Sequence, residues 1–158
     1  MEIEIFDGNM DKNDINTQTT RVACRGIVEK DGKYLVTRLL KWDITMFPGG
    51  GLEEGETLEE CTKRELLEET GMIVNVIEKK ISIKEYFLDS TWTNHYFTCE
   101  LVEDTKKNSL TDEEKDLGLI TEWKTLDELL ENYENNMTKH EHGSNIHNRE
   151  FLGLVNSL

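Results

Sequence analysis

Apolar and polar positions set out most of the elements before any chemistry is considered. Residues 1–6 alternate apolar and acidic side chains and predict an edge strand. Residues 7–20 are polar, rich in Asp, Asn and Thr, and read as a loop or as a disordered arm. Residues 22–28 and 33–40 are aliphatic and β-branched runs on either side of Asp31-Gly32, a tight-turn pair, so they predict a hairpin. Residues 41–46 read as a short loop whose Trp42 covers the core edge or stacks on a base; the core edge is the favoured reading. A glycine-rich turn, Phe47-Pro48-Gly49-Gly50-Gly51, leads to a helix over about 57–70. Leu58, Cys61, Leu66 and Leu67 supply its packing side. Thr57 and Glu60 form a capping box, and Gly71 stands where a left-handed cap ends the helix.

Beyond it, residues 73–77 read as a strand, and 81–87 with 92–102 as a pair about Asp89-Ser90. His95, mid-strand, reads as structural or surface. Residues 103–118 are polar and acidic and precede a strand at 119–123. Thr125 caps an amphipathic helix over 126–133. Residues 139–147 form a loop carrying His140, His142 and His147, a spacing that matches no known ligand set. Residues 146–158 close the chain as a helix with Ile146, Phe151, Leu154, Val155 and Leu158 as apolar positions.

Length fits one domain over 1–158, with its core from about residue 21. The net charge of −15 gives no basic footprint for a stable nucleic-acid complex. No segment is long and apolar enough to span a membrane, and the acidic N-terminus is no secretory signal, so the cytoplasm is expected. Cys24, Cys61 and Cys99 suggest neither a zinc site nor a disulfide framework.

Charge on the helix then changes the picture. Glu65, Glu68 and Glu69 lie at i, i+3 and i+4 and emerge on one face, where like charges repel. Arg64 can pair with Glu68 but cannot neutralise three carboxylates. A hard divalent cation such as Mg²⁺, which takes oxygen ligands and shares its shell with phosphates, can. The competing reading is a solvated acidic face. The full pattern weighs against it: Gly50, five residues, Glu56, seven residues, Arg64-Glu65-Leu66, one residue, Glu68-Glu69, one residue, Gly71-Met72. Average residue usage puts a chance match on the order of 10⁻⁹ per starting position.

This stretch resembles, at every defining position, the signature of the Nudix hydrolases, the MutT-like family. The likeness extends more loosely to Tyr34-Leu35-Val36-Thr37-Arg38 and to Trp123-Lys124-Thr125-Leu126. The resemblance implies an α/β fold of the α+β type, a mixed sheet sandwiched between helices. It implies Mg²⁺-dependent hydrolysis, with Mn²⁺ as a substitute, of a phosphoanhydride in a nucleoside diphosphate linked to another moiety. Glu65, Glu68, Glu69 and the backbone carbonyl at Gly50 would hold the metal. Glu65 or Glu68 would be the general base. Arg64 belongs to the catalytic set by orienting turn and helix with Glu56. Gly49 and Gly50 bring backbone close to substrate. Arg38 would contact phosphate or is a surface arginine; Arg25 has a weaker claim. Glu113 or Glu114 would add a further acid or lies in a solvated loop, and Arg149 with the histidines would form a specificity rim.

Marks of family subgroups are weak here. The proline common in ADP-ribose hydrolases is missing, since Pro48 is the only proline. Tyr86 stands near the place of a tyrosine found in dinucleoside-polyphosphate hydrolases. The arginine-rich motif of the coenzyme A subgroup is absent from 37–46. A nucleoside triphosphate pyrophosphohydrolase, monomer or homodimer, is the default expectation. A nucleotide-sensing module without turnover and an isoprenyl diphosphate isomerase are the alternatives, and the intact acids favour hydrolysis over both.

Overall fold

The computed structural model describes residues 1–16 and 19–158. Its elements are β1 (Glu2–Phe6), β2 (Thr19–Lys30), β3 (Lys33–Leu39), β4 (Ile44–Met46), β5 (Gly49–Gly51), α1 (Leu58–Thr70), β6 (Met72–Tyr86), β7 (Ser90–Asp104), α2 (Asp112–Leu117), β8 (Leu119–Thr125), α3 (Leu126–Asn135) and α4 (Gly143–Val155). The strands run β1-β6-β7-β2-β3-β4, with β5 added to β2 and β8 to β3. β1 is parallel to β6 and β2 to β7, while the other pairs are antiparallel, so the sheet is mixed as expected.

Asp31 and Gly32 both take positive φ, the backbone a two-residue hairpin turn needs. The hairpin they close is shorter than the sequence suggests. β2 and β3 pair only through Glu29 with Tyr34 and Lys30 with Lys33, then part to join β7 and β8. α1 packs where they part. Cys24 and Val28 of β2, Leu35 of β3, and Cys61 and Leu66 of α1 share one buried cluster. The alternate strand residues, Ile27 and Val36, face the other way, onto Leu129 and Tyr133 of α3 and Leu154 of α4. The sheet thus lies between α1 and the α3–α4 layer.

Several elements differ from expectation. The loop expected over 41–46 contains β4, which pairs with β3, and Trp42 packs at the edge of the cluster formed by Leu39, Ile44 and Leu119. The strands expected at 73–77 and 81–87 are one strand, β6, because three register shifts let it stay on β7 through the charged Glu78-Lys79-Lys80. The acidic stretch before β8 contains α2, started by a Thr111–Glu114 capping box. In the 7–20 segment, Lys12–Asp14 makes a 3-10 turn capped by Asp11, while 17 and 18 lie outside the described residues. Leu67, Val155 and Leu158, expected to pack, are exposed. Among the described residues no helix is long and apolar enough to cross a membrane.

Candidate active site

α1 begins and ends as its sequence directs. Glu60 N–H donates to Thr57 Oγ1 at 3.1 Å, and Thr57 N–H to Glu60 Oε2 at 2.8 Å. Gly71, at φ 74°, donates to Leu67 O and closes the helix. The three acids differ in burial: Glu68 has a side chain 44% exposed and Glu65 one 12% exposed, while Glu69 is buried.

The expected glycine turn is a short strand. Gly49, Gly50 and Gly51 of β5 pair with Arg25, Cys24 and Ala23 of β2. None of the three has positive φ; close approach, not turning, is what requires glycine at the first two. A Cβ on Gly49 would collide with the Cys24 carbonyl oxygen. A Cβ on Gly50 would lie 2.5 Å from Glu65 Oε1, so Gly50 is the floor on which that carboxylate rests. Gly49 N–H donates to Glu69 Oε2 at 3.1 Å.

Arg64 ties the helix to this strand. It donates to both oxygens of Glu56 at 2.7 and 3.0 Å, to Gly51 O at 3.0 Å, to Glu65 Oε1 at 2.8 Å and to Glu68 Oε2 at 3.2 Å. Its hydrogen bonds hold the Glu56 carboxyl below the usual range. Burial acts the other way on the helix acids. It raises Glu65 despite Arg64, and pushes Glu69 up to about 8 despite the charge of Arg25. Glu114 of α2 adds to both shifts through its charge, so of the two acids expected from this region it is the one near the site.

The donor set suits a hard cation: carboxylate and carbonyl oxygens, with one oxygen of Glu65 and one of Glu69 making no hydrogen bond among the described residues. Among the described residues no three His, Cys, Asp or Glu side chains already converge on a point, so a metal would have to draw Glu65, Glu68 and Glu69 together, away from Arg64.

Other expected residues lie elsewhere. Arg38 shares the face of β3 that meets α3, where it donates twice to Asp43 Oδ1, at 3.0 and 2.7 Å, and lines a cleft of about 330 Å³ with Thr45, Lys124 and Asn132. It is not brought to the acids. Arg25, the weaker candidate, is: its guanidinium donates to Asn94 Oδ1 and Phe47 O, both at 2.9 Å, and its charge acts on Glu69. The specificity rim is not found. Arg149 is buried, bonded to Tyr96, Glu85 and Glu150, and His147 is fully buried in α4 with Nε2 accepting from Thr45 N–H. His140 stacks on Trp42 with centroids 4.4 Å apart. The buried array of Arg25, Asn94, Tyr96, Glu85, Arg149 and Glu150 escaped the sequence reading. Its one legible signal was Glu150 sharing a helical face with Leu154, four residues on.

The chain matches the NUDIX domain model over residues 17–144. It belongs to the Nudix family. It is 48% identical over 61 residues to an ADP-ribose pyrophosphatase of Methanocaldococcus jannaschii, covering 35% of this chain and 34% of that one. It is 33% identical over 85 residues to an 8-oxo-dGTP diphosphatase of Buchnera aphidicola, covering 47% of this chain and 68% of that one. The chain thus spans about a third of the archaeal relative's length. In structure it resembles a Nudix hydrolase from Nitrosomonas europaea with a TM-score of 0.69 at 19% identity, over 87% of this chain and 88% of that one.

Proposed function

We propose that this chain is a Mg²⁺-dependent hydrolase of a nucleoside diphosphate linked to another moiety, cleaving the phosphoanhydride. The observation that carries this reading is the set of oxygen donors along α1 and β5, Glu65, Glu68, Glu69 and the Gly50 carbonyl, whose carboxylates Arg64 offsets only in part. These groups would hold Mg²⁺, with Mn²⁺ able to replace it. The cation would neutralise phosphate oxygens and make water more acidic. Arg64 keeps Glu65 and Glu68 in place, and Glu68, the solvent-open acid, is the better general base of the two.

A cleft of about 210 Å³ opens where β1 and β6 end together. Phe6 and Phe87 line it with Glu85, Asn145 and Asn148, aromatic rings beside polar side chains, the combination that receives a nucleoside, while the Tyr86 ring is stacked on Phe6. The relatives' activities support two substrate classes, oxidised purine nucleoside triphosphates and ADP-ribose.

The test is Mg²⁺-dependent hydrolysis over a panel: nucleoside triphosphates, their oxidised forms, ADP-ribose, dinucleoside polyphosphates and nucleotide sugars. At least one should be turned over, and Glu68→Gln should reduce that turnover by about 10²-fold or more, the scale of a lost acid or base. No turnover together with tight metal-dependent binding would instead identify a nucleotide sensor.

A further inference from the structure

Residues 47 and 48 join β4 to the glycine strand β5, and the backbone from 47 to 50 is fixed from several sides. Gly49 N–H is held by Glu69, and Pro48 O accepts from Gly26 N–H at 3.0 Å. Phe47 is held at both ends by charged side chains from distant elements. Its N–H donates to Glu150 Oε2 at 2.8 Å, across 103 residues of sequence, and its carbonyl accepts from Arg25 Nη1.

Glu150 is fully buried, and its other oxygen is also engaged. Oε1 accepts from the Tyr96 hydroxyl at 2.7 Å and from Arg149 Nη2 at 2.9 Å, and lies 3.6 Å from Arg25 Nε. A neutral side chain could accept the Phe47 N–H at less desolvation cost. What the carboxylate adds is a short charge-assisted bond from a side chain that its own partners have immobilised. Gly50 follows Phe47 by three residues, and Glu65 rests directly on it. Freedom at Phe47 would pass to both.

We propose that Glu150 is a positioning residue for the cation site: from α4 it fixes Phe47, and so sets Gly49 against Glu69 and Gly50 beneath Glu65. This rests on the metal reading given above.

The probe is Mn²⁺, titrated into the full chain and followed by the resonance of the free ion, with folding checked by circular dichroism. Wild type should bind, and Glu68→Gln should weaken binding. Glu150→Gln should raise the Mn²⁺ Kd by about 10-fold, the usual scale for a residue supporting a metal ligand. Leu154→Ala, which removes packing from the cluster that Phe47 shares but keeps the Glu150 carboxylate and its bond to the Phe47 N–H, should lower the melting temperature and leave the Kd within about twofold, well short of that support effect. If Glu150→Gln does not fold, Arg25→Lys, which keeps the positive charge near Glu69 and loses the guanidinium bond to the Phe47 carbonyl, tests the same fixing and should weaken Mn²⁺ in the same direction. A folded Glu150→Gln with wild-type affinity, or Leu154→Ala weakening Mn²⁺ as much, would overturn the proposal while leaving the metal reading intact. Absence of Mn²⁺ binding in the wild type would remove the metal reading and this proposal with it.

Discussion

Glu69 on α1 and Glu150 on α4 are both buried carboxylates, yet the fold provides for them differently. Glu150 receives the Phe47 N–H, the Tyr96 hydroxyl and the Arg149 guanidinium, with Arg25 close by. Burial opposes its ionisation, but Arg149, Arg25 and the hydrogen bonds together hold its carboxyl below the usual range. Glu69 receives one backbone N–H, from Gly49, and burial wins: its carboxyl rises to about 8. Around α4 the chain completes its own charge balance. Along α1 a single Arg64 faces Glu56, Glu65 and Glu68. On the function proposed above, that difference separates a structural network from a site that an external cation would complete. A buried carboxyl is common to both, and the lack of a counter-charge to keep it ionised is what distinguishes the second.

The largest effect is expected at α4. Arg149→Met strands Glu85 and leaves Glu150 with one cation instead of two, so urea denaturation should show a loss of about 3–5 kcal/mol, the cost of splitting a buried pair. A loss below about 1 kcal/mol, the scale of a surface pair, would mean the network is not a structural unit. The same experiment on α1 should have the opposite sign. In metal-free protein Glu69 titrates near 8 folded and at 4.5 unfolded, so between those values the folded state holds a proton that the unfolded state has released. Wild-type stability from this group therefore falls as pH rises through that window. Glu69→Gln cannot titrate. It should stay close to wild type near pH 5 and exceed it by up to about 5 kcal/mol near pH 9, while excess Mg²⁺ should restore the wild type and not the variant. A difference that stays flat with pH would show Glu69 to be internally compensated after all.

A smaller effect separates two adjacent glycines. Gly50→Ala drives a Cβ into the Glu65 carboxylate, whereas at Gly51 the nearest atom is Arg21 Nη2 at 3.9 Å. Mn²⁺ affinity should fall by about 10-fold in the first, on the scale of a disturbed metal ligand, and stay near wild type in the second. Equal affinities would remove Gly50 from the site.

The part of the site lying along one helix was legible because an i, i+3, i+4 pattern with caps at both ends is a local statement. Thr57, Glu60, Gly71 and the three acids could be placed from the sequence alone. So were β1 at the sheet edge and α3 behind Thr125. What was illegible depends on contacts distant in sequence. Gly49 to Gly51 look like a turn in sequence, and only pairing with β2 makes them a strand. Arg25 and Arg38 lie on strands of similar composition, and which one meets the acids is decided by the parting of β2 and β3 around α1. Arg149 and His147 look like surface polar residues until Tyr96, Glu85 and Thr45 are brought to them.

His147 offers the finest test of how fully α4 satisfies its own polar groups. Thr45 N–H donates to Nε2 at 3.1 Å, so the neutral ring carries its proton on Nδ1, which is buried and has no hydrogen-bond partner among the described residues. Protonating Nε2 would give the ring a charge and cost the Thr45 bond. Burial lowers the imidazole below its ordinary 6.5, over the opposing charges of Glu150 and Asp43. The unfolded chain takes up this proton first as pH falls. The contribution is therefore fully present above 6.5 and is lost as pH drops through the lowered folded value. Wild-type stability from this residue should therefore decline as pH falls below 6.5. His95, lowered by burial too, adds a decline of the same sign, so the readout is the difference between wild type and His147→Gln. The variant should lose stability at neutral pH and show a shallower acid slope. Parallel slopes would mean that the Nδ1 side of the ring is solvated well enough to accept the charge, and α4 would then be less self-sufficient than its Glu150 network suggests.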